Sequence, residues 1–358
     1  MSETPSTGAP GCPFSAAAPD RAAGPEHRRS FGLWRNPAVQ QEIESLDAKR
    51  DCQRIVYLLT AYEFPADMQR STELALFHTY GSQTVSALLD RTKQFSKHGQ
   101  KRYDDTRLLI AQYIESGWEA DKGRRSIEQM NHIHSFYRIE NEDFLFVLWT
   151  FLDFPKRWLQ DYGWRAMTAH ECEAWFHYWI EIGRRMNLTD IPATWGEFDD
   201  FVAEYESRKL KYSVANEHVA QATIDIMAAW LPKPLRFAVK PAVSALVPDR
   251  LRPAVGLTDP PGWLSALMHG VLKARAVFKR FVPYERYPTL LAHGVNRTYP
   301  SHCYRIEELG PAFAHRRAGQ AANGKAPDGS PGALHALDDE AHEAAGVAAT
   351  ATATAQRD

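Results

Sequence analysis

The sequence predicts an all-α protein, a single multi-helix globular domain with a buried pocket between two disordered tails. Three observations carry that expectation. Apolar residues recur at three- and four-residue steps through the middle of the chain, no strand–turn–strand alternation competes with them, and both ends lack the large apolar side chains that a core needs. Residues 1–30 are rich in Ala, Pro, Gly and Ser, and Phe14 is their only large apolar ring. They are read as a disordered leader. The helical steps then follow in order, as Ile55, Leu58, Leu59 and Tyr62; Leu74, Phe77, Thr79 and Tyr80; Leu108, Ile110 and Ile114; and Phe144, Val147, Leu148 and Phe151. Asn141 ahead of Glu142 and Asp143, Thr168 with Glu171 three residues on, and Thr194 ahead of Glu197 mark helix starts. About ten helices are expected over residues 31–311, with prolines punctuating the later third. Residues 312–358 form an Ala/Gly-rich tail, most biased from Ala318 onward, and are read as disordered.

The 358 residues are 44% hydrophobic, enough to bury a substantial core. With 42 basic and 44 acidic side chains the chain offers no general basic surface for nucleic acid, so no nucleic-acid partner is expected. Cys12, Cys52, Cys172 and Cys303 stand far apart and form no C-x-x-C pair, which speaks for a reducing compartment and a cytoplasmic location. The N-terminus has no signal-peptide pattern, and no stretch approaches the apolar length of a transmembrane helix.

Phosphate-binding glycine loops, the G-x-S-x-G elbow, H-E-x-x-H and the Glu-x-x-His pairs of di-iron bundles are all missing. What remains is a histidine-bearing helix from Gly123, on which Ile127, Met130 and His134 share one face while His132 lies on another. His134 therefore points inward, either as a satisfied core side chain or as a ligand. A second element, Lys101-Arg102-Tyr103-Asp104-Asp105-Thr106, opens a helix on which Arg102 and Thr106 project from the same side above an apolar stripe of Ile110 and Tyr113. That pattern suits the lip of a pocket. On the residues alone it suits better a solvated helix start in which Asp104 and Asp105 complement the helix dipole.

The order of Glu63-Phe64-Pro65, Leu76-Phe77-His78-Thr79-Tyr80-Gly81, Thr92-Lys93-Gln94-Phe95-Ser96-Lys97, Lys101 to Thr106, His134-Ser135 and Gly163-Trp164-Arg165 resembles the MpaB-type oxygenases, over about Tyr62 to Asn187. Asp259-Pro260-Pro261-Gly262-Trp263 extends the likeness more loosely. That group shares a superfamily with the latex-clearing proteins, the rubber oxygenases. The resemblance implies an iron-containing haem b held by a histidine, here matched by His134, with Arg102 and Thr106 beside the cofactor. It also implies an oxidoreductase that uses dioxygen on an apolar, isoprenoid-like small molecule and cleaves a carbon–carbon double bond. Two departures stand out. The rubber-cleaving enzymes carry a lysine where this chain has Asp105, so their second axial ligand has no counterpart. Their carboxylate base also lacks an assured equivalent, a role for which Asp105 or Asp104 is the candidate if the helix start faces the iron.

Trp149 and Phe151, on the helix after His134, are candidate haem neighbours. Other readings remain open: a haem-dependent hydroxylase or peroxidase, or a non-enzymatic lipid- or haem-binding module. Residues 262–281 stack Trp263, Leu267, Val271, Ala274, Phe278 and Phe281 on one side with Lys273, Arg275, Lys279 and Arg280 around them. Such a stripe packs into a core in most proteins, yet a basic amphipathic helix can also rest peripherally on an anionic membrane.

Overall fold

In the computed structural model, residues 37–281 and 288–315 are described. The leader read at 1–30 and the tail beyond residue 315 lie outside the described residues. The helices run in order as α1 (Pro37–Ser45), α2 (Cys52–Leu58), α3 (Pro65–Thr79), α4 (Gln83–Arg91), α5 (Gln94–Ser116), α6 (Asp121–Ser135), α7 (Asn141–Tyr162), α8 (Ala169–Arg185), α9 (Trp195–Lys209), α10 (Val214–Ala229), α11 (Val239–Leu246), α12 (Leu251–Ala254) and α13 (Gly262–Lys279). Among the described residues there is no sheet, only an isolated bridge between Ser82 and Leu210. The fold is all-α.

Local chemistry explains where the helices begin. Thr168 accepts from the Glu171 amide while the Glu171 carboxylate accepts from the Thr168 amide, closing the expected capping box of α8. Thr194 likewise caps α9 through the Glu197 amide. Asn141 does not cap α7. Glu140 takes that position, and the Asn141 amide instead exchanges two hydrogen bonds with the backbone of Thr189. The helix that carries Arg102 starts earlier than expected, at Gln94, and is kinked at His98.

From Phe144 to Leu152 α7 is apolar nearly all round, and it is the pillar of the domain, lying along α3 and against α8 and α9. Phe146, Trp149 and Leu152 fill the main core on one side of it, while Phe144, Val147 and Phe151 turn toward a cavity on the other. The motif segments lock the far end. Arg165 bridges Glu63 at 2.5 Å and Glu171 at 2.6 Å, Trp164 donates to the Glu63 carbonyl, and the Arg165 guanidinium stacks on Phe64. At Gly81 a Cβ would fall 2.4 Å from Leu210 and 2.6 Å from Leu251, so a larger residue would have to push both leucine side chains aside where the α3–α4 turn meets α12.

Residues 288–315 run back over α5 and α6. Asp104 accepts from the amide and hydroxyl of Thr298, and Arg107 donates to the carbonyls of Leu291 and Val295. Gln129 donates to the carbonyls of Leu309 and Ala314, and Ala314 is buried. Cys52 and Cys172 carry free thiols, but Cys303 is disulfide-bonded, so the expected reduced state does not hold for Cys303.

α13 departs from the more common reading of its stripe. Trp263, Leu267, Val271 and Phe278 are exposed rather than packed in the core. The helix is held by its other side, where Arg275 at 2.6 Å and Lys279 at 3.1 Å both reach the buried Asp67 of α3. Two of its three lysine and arginine side chains are thus spent inward.

Candidate active site

A cavity of about 590 Å3 opens between α3, α4, α5, α6, α7 and α10, within the range of roughly 300–1,000 Å3 that suits a ligand of drug or cofactor size. Its wall is mainly apolar, with Leu76 from α3, Ile110 and Tyr113 from α5, Met130 and Ile133 from α6, and Phe144, Val147 and Phe151 from α7. Arg102, Thr106 and His134 all line it, so the structure brings these sequence candidates together. Among the described residues His134 is the cavity's only histidine. His78 is buried elsewhere at 2.7 Å from Glu206, and His170 lies 3.2 Å from the Ile43 carbonyl. His132 rests half-buried against Phe136, away from the cavity.

The state of His134 follows from its surroundings. Its ring packs edge-on to Phe144, and neither ring nitrogen has a hydrogen-bond partner among the described residues. Burial first, and then the charge of Arg102, lowers its pKa from the ordinary 6.5 to about 4. The imidazole is therefore neutral at physiological pH, with a lone pair free to bind a metal.

Arg102 supplies the complementary feature. Its charge is felt by Tyr80, His134 and Tyr137, which places it among the polar groups of the cavity wall. No carboxylate pairs with its guanidinium among the described residues. A cation lining a mostly apolar cavity without a counter-ion favours an anionic ligand group. The Thr106 hydroxyl donates to the Arg102 carbonyl one turn back, so it keeps only acceptor capacity toward the cavity.

Asp105 needs correction as a candidate catalytic group. It does not line the cavity. Its carboxylate is buried on the opposite side of α5, where it receives Lys101 at 2.6 Å, the Tyr299 hydroxyl at 2.7 Å and the Gly310 amide at 2.9 Å. Asp104 is likewise taken up by Thr298. Both aspartates hold the C-terminal segment rather than a solvated helix start. Of the two proposed aromatic neighbours, Phe151 lines the cavity, whereas Trp149 faces the His78 side and donates to Asp199.

One polar cluster in the wall was not singled out from the sequence. Glu73 accepts from the Tyr103 hydroxyl at 2.6 Å and from Arg70 at 2.6 Å, beside Gln69. The Gln69 and Glu73 spacing of four on one helix face is the signal that could have found it. Among the described residues no three His, Cys, Asp or Glu side chains converge to hold a metal ion, so a metal in this cavity would have to bring most of its ligands with it. An iron porphyrin does so. The neutral, unpartnered His134, the unpaired Arg102 and the apolar volume fit such a group.

Fold and site together define a helical protein built around one deep, apolar, histidine-bearing cavity. The chain belongs to the family described as ER-bound oxygenase mpaB/B'/rubber oxygenase, catalytic domain, whose pattern matches residues 78–278. It is similar to the ER-bound oxygenase mpaB' of Penicillium brevicompactum, with 30% identity over 64% of this chain and 58% of that protein. It is also similar to the ER-bound oxygenase mpaB of Penicillium roqueforti, with 28% identity over 54% of this chain and 71% of that protein. The chain thus spans little more than half the length of the mpaB' relative. No helix among the described residues is long and apolar enough to cross a membrane.

Proposed function

We propose that this chain is a haem b-dependent oxygenase in which His134 holds the iron and an apolar small molecule reacts with dioxygen in the adjoining cavity. One observation carries the reading: a neutral imidazole without a partner and a guanidinium without a counter-ion share one apolar cavity. Family membership supports the oxygenase class. When bound, the haem supplies the redox chemistry of dioxygen activation. The protein's part is to offer the His134 nitrogen, to pair Arg102 with a propionate carboxylate, and to exclude water with Phe144, Val147 and Phe151.

The reaction we favour for this mainly apolar cavity is oxidative cleavage of a carbon–carbon double bond, in which both oxygen atoms end in two carbonyl products. No external reductant is then needed. Hydroxylation would require two electrons from a partner and would place one oxygen atom in water. Labelled dioxygen separates the two outcomes.

The test of the site is spectroscopic. His134→Ala is expected to lose stoichiometric haem and its Soret band, while His132→Ala keeps both. An unchanged Soret band in folded His134→Ala protein would remove the axial assignment.

A further inference from the structure

A helix that packs on a soluble domain normally buries its apolar side. α13 does the reverse. Its inner side is anchored through polar groups, with Arg275 and Lys279 on Asp67 and His269 stacked on Tyr162, and Ala276 is its only fully buried residue. Its outer side presents Trp263 at 69% and Phe278 at 68% exposure, with Leu267, Val271, Val277 and Phe281 more than half exposed.

A second element repeats the pattern. The 3-10 turn Lys233–Ala238 exposes Leu235 and, at 79%, Phe237, and buries none of its residues. It leads into α11, which packs against α13, so the two apolar sets flank one part of the surface. Exposed apolar area of this extent marks an interaction site rather than ordinary surface.

Charge decides among the occupants. Residues 231–248 and 262–281 hold seven Lys or Arg and no Asp or Glu. With Arg275 and Lys279 turned to Asp67, the exposed cations are Lys233, Arg236, Lys240, Lys273 and Arg280. The acids between the two segments, Asp249 and Asp259, are both bridged to Arg252, so large aromatics with an excess of cations around them match the headgroup boundary of an anionic bilayer. A second copy of the chain would set these cations against each other. The turn also adjoins the cavity, because Trp230 lines the cavity wall and the next residue, Leu231, is exposed.

We propose that α13 and the turn Lys233–Ala238 form one docking face for an anionic lipid surface, into which Phe237, Trp263 and Phe278 insert. The inference stands whatever reaction the cavity performs. The probe is flotation of the full chain with vesicles of phosphatidylcholine alone or with added phosphatidylglycerol. The chain is expected to float with the anionic vesicles and to stay behind with the neutral ones. Trp263→Ser with Phe278→Ser should weaken that binding by about tenfold or more without lowering the melting temperature, because both side chains are exposed. Lys233→Gln with Arg236→Gln should weaken it at low salt and make little difference at high salt.

The proposal is overturned if the chain fails to bind anionic vesicles, or if the double aromatic variant binds as well as the parent. It is also overturned if sedimentation shows a dimer that this variant dissolves, since the face would then join two copies. Haem content is measured on the same samples, and its loss would count against the cavity assignment without touching this one.

Discussion

His134 and Asp105 mark how far single residues could be read in the sequence. Spacing on α6 placed His134 with Met130, and the structure puts both on the cavity wall. Spacing on α5 could not do the same for Asp105, because, besides Lys101 one turn back, the groups that claim its carboxylate, Tyr299 and Gly310, come from about two hundred residues downstream. No local pattern reports such a partner. The lowered pKa of His134 yields a pH prediction. A histidine whose folded-state value falls from 6.5 to about 4 stays unprotonated through mildly acid solution, so haem binding should be as complete at pH 5 as at pH 7. Haem loss centred near pH 6.5 would contradict this environment. Arg102 contributes to the depression, so Arg102→Ala should move the acid limit upward while leaving most haem in place and lowering turnover. A pH titration of the Soret band in both proteins measures the shift.

At the scale of elements, helix starts were legible wherever the cap was a local exchange, as at Thr168 and Thr194. They were not legible where tertiary contact took the capping side chain, as at Asn141. Thr168→Ala is expected to cost about 1 kcal/mol in a denaturant melt, the usual worth of such a cap. A larger effect is expected at the strut between α5 and the C-terminal segment. Asp105→Ala would leave Lys101, the Tyr299 hydroxyl and the buried Gly310 amide short of an acceptor, a loss of about 1–3 kcal/mol. Because that strut faces away from the cavity, the haem spectrum of the folded variant should stay unchanged. A selective loss of haem at full stability would instead return Asp105 to the site. The outward face of α13 was not legible either. Its stripe has the spacing of a core helix, and only Asp67 on α3, which claims Arg275 and Lys279, decides which side faces in.

The whole molecule closes when residues 288–315 pack over α5 and α6, and that closure leaves a titratable group in the seam. Glu115 of α5 accepts from the Ala292 amide at 3.0 Å, and burial pushes its pKa from 4.5 up to about 7. A carboxyl whose folded-state value is raised binds its proton more tightly in the folded protein, so its ionisation costs stability as pH rises from 4.5 through 7. His134 acts in the opposite sense, since a depressed histidine costs stability as pH falls from 6.5 toward 4. The two slopes oppose each other between about pH 4.5 and 6.5, and the parent protein alone would hide both. Glu115→Gln separates them, because it keeps the Ala292 hydrogen bond and removes the ionisation. The variant should match the parent near pH 4.5 and gain on it steadily to about pH 7.5, reaching about 1–3 kcal/mol, as chemical melts at a series of pH values would record. A difference that does not change with pH would mean that Glu115 is no more buried in the folded chain than in the unfolded one, and that the C-terminal segment does not close over α5.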